Sequence, residues 1–134
     1  MKIEVDFEKV GDIVEMYPLY SNQKSFYGKA FNYYVRRNNR VHYMDYNILK
    51  SYNTFVACIN FDGGIMRKSK PYLAFKLIIS DVNDITHTTR QHLDEFIRQK
   101  IGVADFKLTR NQIETACNRE LYILVGDGND IIIE

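Results

Sequence analysis

Cations and flat rings interleave along Lys24, Phe26, Tyr27, Lys29, Phe31, Tyr33, Tyr34, Arg36, Arg37 and Arg40. Single-stranded nucleic acid is held by such a pattern, because cations follow phosphates and rings stack on bases at about 1–3 kcal/mol each. Tyr and Arg also dominate the hot spots of protein–protein interfaces. A plainer account competes with both: Tyr and Phe are good strand residues, half of them point into a core, and cations decorate the wet face. No RNP-type sequence or zinc finger accompanies the pattern, so a protein partner is preferred over a nucleic acid. Under either binding account the expected contacts are Lys24, Tyr27, Lys29, Tyr34, Arg36, Arg37 and Arg40.

A second cluster of chemistry-bearing residues is Thr88, Thr89, Arg90 and His92. Free amides at a helix start, with a cation and an imidazole, suit a phosphate or carboxylate; ordinary capping explains the threonines without any ligand. The remaining signals are thin. His42, His87 and His92 have no HExxH or Cys/His zinc spacing. Gly126-Asp127-Gly128-Asn129-Asp130 resembles part of a calcium loop but lacks the closing glutamate. Neither GxGxxG, GxxxxGK[ST] nor Gly-x-Ser-x-Gly occurs. No catalytic residue, metal or cofactor is therefore expected, and the reading is non-enzymatic.

Charge is distributed unevenly. Residues 21–76 carry ten Lys or Arg against Asp45 and Asp62, a net +8, in a chain whose formal charge is only +1. The two ends are correspondingly acidic, and most of the aromatic residues share the basic middle. At 134 residues, 46% apolar and 26% charged, the composition is that of one globular domain with its own core. No run approaches the length of a membrane span, and the alternating acidic start is no signal peptide. Cys58 and Cys117 lie in apolar runs without a CxxC partner, which points to reduced thiols and a cytoplasmic protein.

The elements that must position these residues read as follows. Residues 1–5 suggest a short strand. Asp6 then caps a helix with Val5 and Val10 as staple and Phe7, Val10, Ile13 and Val14 as stripe, stopped by Pro18. Ser25 to Val35, Val41 to Tyr46, Phe55 to Phe61 and Tyr72 to Ile79 read as strands, with turns at Arg36 to Arg40 and at Asp62-Gly63-Gly64. Gly28, inside the first of these, suggests a bulge or a close backbone approach. Thr88-Thr89-Arg90-Gln91 and Thr109-Arg110-Asn111-Gln112 read as capping boxes for two helices, the first with Leu93, Phe96, Ile97 and Ile101 inward and Gly102 at its end. A hairpin, Leu121 to Val125 and Ile131 to Ile133, closes the chain. The expected fold is α+β: a single domain, mostly antiparallel sheet, with about three helices packed on it.

Three segments, Ser21-Asn22-Gln23-Lys24-Ser25-Phe26-Tyr27-Gly28-Lys29-Ala30, Ser51-Tyr52-Asn53-Thr54-x-Val56-Ala57 and Thr88-Thr89-x-x-His92-x-x-x-Phe96-Ile97, occur in that order. Together they resemble the KSFYGKA, SYxTxVA and TTxRHIxEFL segments of short uncharacterised proteins of bacteriophages, prophages and gut bacteria. The resemblance covers about residues 21–101. It implies origin rather than chemistry. That origin, the small compact domain and the missing catalytic motifs together lead to the expectation of a small non-enzymatic phage or mobile-element accessory protein that binds a macromolecular partner, such as an inhibitor of a host defence or nucleic-acid-handling complex. The alternatives are a single-stranded nucleic-acid-binding protein and a small nucleotide-directed enzyme using the Thr88–His92 helix start. Gln91 stands where the pattern has arginine, with Arg90 one place earlier. The three motifs are expected to form one structural seam, not three functional sites.

Overall fold

The computed structural model describes residues 2–21, 26–36, 46–67 and 70–134. Seven strands form one sheet in chain order: β1 (Val10–Glu15), β2 (Ala30–Val35), β3 (Tyr46–Ser51), β4 (Thr54–Arg67), β5 (Lys70–Ile79), β6 (Leu121–Val125) and β7 (Ile131–Ile133). Every described pairing is antiparallel. The link from β5 to β6 carries two helices, α1 (His87–Ile101) and α2 (Arg110–Asn118), and folds them back over one face. There α1 lies against β3, and α2 against β5 and β6. The class is α+β with two α-helices among the described residues, not three.

The period of two decides which side chains meet the helices. Ala30 of β2, Leu49 of β3, Ala57 and Ile59 of β4, and Phe75, Leu77 and Ile79 of β5 share one core with Leu93, Phe96 and Ile97 of α1 and Ile113 and Ala116 of α2, nearly all of it fully buried. On the opposite face Tyr33, Val35 and Ile48 form a smaller cluster covered by Ile3, Val5 and Val10.

Several local expectations are corrected. Residues 2–6 form no strand, and Asp6 caps only a 3-10 turn, Phe7–Lys9, its carboxylate accepting from Glu8 N at 3.1 Å. The chain then runs as β1 along β2. Gly11 and the β-branched Val10, Ile13 and Val14 are poor helix formers, and the open edge of β2 supplies the backbone partners that a helix would otherwise have supplied. Gly63 and Gly64 do not end β4: the strand passes through them to Arg67, with a register shift between Phe61 and Gly63, as glycine in a strand often marks a bulge. Gly28 lies not within a strand but in the turn before β2, at φ 68°. The cap of α1 is Thr86, whose hydroxyl accepts from Thr89 N at 3.3 Å, and not Thr88. Thr109 and Gln112 make the reciprocal capping box of α2 as expected, and Gly102 ends α1 in the left-handed conformation. The final hairpin turns through a 3-10 turn at Asp127–Asn129. Cys58 on β4 and Cys117 on α2 are not joined in a disulfide. The expected turn at Arg36 to Arg40 and the strand from Val41 lie outside the described residues, apart from Arg36 and Tyr46.

Candidate functional site

One end of the sheet, where β1, β2 and the β3–β4 turn meet the first half of α1, brings the three sequence segments together. Phe26 to Lys29 form a tight turn closed by Lys29 N donating to Phe26 O at 3.0 Å. Gly28 N donates to the Glu15 carboxylate, which ties the turn to the end of β1. Ser51 and Thr54 pair across a two-residue turn, Tyr52-Asn53. Tyr52 sits at φ 56°, a conformation that favours glycine, and its N–H donates to Lys29 O at 2.7 Å. The second segment is thereby locked to the first.

Beneath this junction lies a buried polar cluster. Ser51 Oγ is 2.7 Å from His92 Nδ1 and 2.9 Å from Thr89 Oγ1. All three side chains are buried, His92 completely. Ser51 has a single hydroxyl proton, so a relay in which it donates to one of these two neighbours and accepts from the other serves all three groups. The Phe26 ring meets the imidazole edge-on at 4.6 Å between centroids, and the Tyr52 ring lies tilted at 5.8 Å. One turn further along α1, Glu95 is fully buried. Its carboxylate accepts from Leu19 N at 3.2 Å, Tyr20 N at 3.1 Å and Gln99 Nε2 at 2.9 Å. Three donors offset the desolvation of that carboxylate and pin the segment after β1 onto the helix. Gln99 adds a bond to Tyr17 O at 2.7 Å.

The braced segments present a rim of apolar rings to solvent. Tyr27 is 77% exposed, Leu19 72%, Tyr17 56% and Tyr52 45%. Tyr17 Oη stands 3.4 Å from Glu15 Oε2, and the nearby Glu15 charge raises the phenol's pKa above its ordinary value. Lys29 Nζ sits 5.9 Å from the centre of the Tyr52 ring.

The residues singled out in the sequence divide among several places. Tyr27 and Lys29 belong to the rim. Tyr34 and Arg36 lie at the far end of β2, about 16 and 23 Å from Lys29 at ~3.3 Å per residue, so the four do not share one face. Tyr34 points toward α1, where Lys100 Nζ stands 4.9 Å from its ring centre and 5.4 Å from that of Phe96. Burial between those rings lowers the Lys100 pKa to about 8. Arg36 is exposed, and Lys24, Arg37 and Arg40 lie outside the described residues. Of the helix-start set, Thr89 and His92 turn inward to Ser51 and Thr88 is half-buried. Arg90 donates to Leu108 O and lies 3.6 Å from Asp94 Oδ2. Sequence reasoning missed Ser51 as the hub, and Glu95 and Glu15 as anchors. Glu95 carried a signal, since it follows His92 by three positions and shares its side of a helix.

The chain belongs to the DUF8033 family, a family of unknown function whose pattern matches residues 14–115. No curated protein and no solved structure matches it. The matched stretch holds every residue of the buried cluster and of the rim; residues 2–13 and strands β6 and β7 fall outside it.

Proposed function

We propose that this is a non-enzymatic binding protein that meets a protein partner through the rim of Tyr17, Leu19, Tyr27 and Tyr52. The observation that carries the reading is the bracing. Buried Ser51, Thr89, His92 and Glu95 hold three separate segments so that exposed rings stand together at one end. Rings held in place lose little freedom on binding, and aromatic side chains in desolvated contacts dominate interface energies. His92 is enclosed by Phe26, Tyr52 and Ser51, which suits a brace better than a reacting group. In the phage or mobile-element setting that the sequence resemblance implies, the partner is a host complex of defence or nucleic-acid handling.

The test compares wild type with a Tyr17→Ser/Tyr27→Ser variant as bait on host extract. Both residues are exposed, so the variant is expected to melt within a few degrees of wild type. Loss of the retained protein in the variant supports the reading; equal retention by both proteins overturns it.

A second reading has its own support on the partly covered second face of the sheet, where Phe7 is exposed and Phe55 half-buried beside the buried Tyr33. Phe7 and Tyr33 both meet Phe55 edge-on, at 6.1 and 5.1 Å, and Lys50 Nζ lies 5.6 Å from Phe55 and 5.9 Å from Tyr33. Rings with a cation over them suit single-stranded nucleic acid. Anisotropy of labelled oligonucleotides at low and near-physiological salt decides it, because phosphate contacts weaken steeply with salt.

A further inference from the structure

The N-terminal segment covers the second face of the sheet incompletely. Ile3, Val5 and Val10 pack on Tyr33, Val35 and Ile48, but a cavity of about 360 Å³ remains between the segment and the strands. Its floor is Val35, Tyr46, Ile48, Cys58 and Ile78, with Ile3 as a wall. Tyr46, Cys58 and Ile78 keep partial exposure on this side, whereas Leu49, Ala57, Ile59 and Ile79 on the helix side are fully covered. The mouth is charged. Lys9 and Asp6 pair with each other at 3.8 Å, and Lys2, Arg36 and Glu4 also line the cavity. Arg36 is held in place there: its N–H donates to Lys9 O at 2.9 Å, and its guanidinium packs against Gly11.

We propose that this cavity binds a small amphipathic carboxylate, its apolar body on Val35, Ile48, Cys58 and Ile78 and its head on the guanidinium of Arg36. The volume falls in the range of small-molecule sites, which combine an apolar lining with a few polar groups that fix orientation. A guanidinium matches a carboxylate through two parallel hydrogen bonds, and the surplus cation at the mouth sets the sign of the ligand. Burial raises the Cys58 pKa to about 12, so the floor stays a neutral thiol and does not repel an anion. The floor lies within the stretch matched to the family, and the wall from residues 2–9 lies outside it. The site lies across the sheet from the tyrosine rim, and its success or failure is independent of the binding reading above.

Isothermal titration with dodecanoate, kept below its micelle concentration, tests the site, with dodecylamine as the charge-reversed control. Saturable one-to-one binding of dodecanoate and none of the amine is expected. Arg36→Gln, at an exposed position where a substitution has little effect on folding, is expected to weaken binding at least tenfold, because two charge-assisted hydrogen bonds to the carboxylate are lost. Cys58→Met, which extends a side chain into the floor, is expected to weaken it further. No dodecanoate binding, equal binding of the amine, or an unchanged affinity in Arg36→Gln overturns the proposal.

Discussion

Removing the Ser51 hydroxyl tests the brace at its hub. Ser51→Ala changes one atom at a side chain only 2% exposed, so it leaves little cavity and acts through hydrogen bonding. Two contacts vanish together, the 2.7 Å contact to His92 Nδ1 and the 2.9 Å contact to Thr89 Oγ1. A made hydrogen bond is worth about 0.5–1.5 kcal/mol net, but a buried group left without a partner costs about 1–3 kcal/mol. Two such groups give an expected loss of about 2–4 kcal/mol. For a chain of this size that corresponds to a fall of roughly 6–15 °C in melting temperature. The assay is urea unfolding followed by circular dichroism, with Thr89→Val and the double variant completing a cycle. Because Thr89 and Ser51 are in contact, a coupling above about 0.5 kcal/mol is expected. A loss below about 0.5 kcal/mol with additive single effects would refute the relay.

Four further outcomes follow from the same geometry. Phe96→Ala, in the fully buried stripe of α1, is expected to cost about 3–5 kcal/mol in urea unfolding. Thr109→Ala removes the capping box of α2 and is expected to cost about 1 kcal/mol. At φ 56° Tyr52 occupies a position suited to glycine, so Tyr52→Gly should be more stable than Tyr52→Ala by about 1 kcal/mol; the reverse order would rule out that backbone conformation. The Lys100 pKa is lowered from 10.5 to about 8, so between those values the unfolded state binds more protons and stability rises with pH. The raised Cys58 thiol, at about 12 against 9.0, acts in the opposite sense above pH 9. Comparing unfolding of wild type and Lys100→Met from pH 7 to 10 cancels the thiol's part, and wild type is expected to gain on the variant as pH rises.

Much of the fold was legible because it rests on local signals. Gly102, the Thr109–Gln112 box and the alternation through Phe75, Leu77 and Ile79 each specify their element within a few residues, and the structure keeps them. The errors fell where a distant partner decides. Val10 to Glu15 has a helical spacing of apolar residues, yet an open strand edge outbid it. Gly63 and Gly64 carry a turn signature, but pairing with β5 continues past them. The cap of α1 moved one half-turn earlier, because threonines at 86, 88 and 89 offer alternatives that only tertiary packing distinguishes. The candidate site was legible as three motifs and not as an arrangement. Ser51 and His92 are 41 positions apart, and no local pattern places a hydroxyl of one hairpin against an imidazole of a later helix. The basic, tyrosine-rich run looked like one surface because it is continuous in sequence, whereas β2 carries its two termini to opposite ends of the sheet.

A photo-crosslinking residue placed at Tyr27 tests the binding account most directly, with the same residue at exposed Tyr122 as control. The account predicts a discrete protein adduct in host extract from position 27, resistant to nuclease and absent from position 122. No adduct from position 27, or one that nuclease removes, would contradict it.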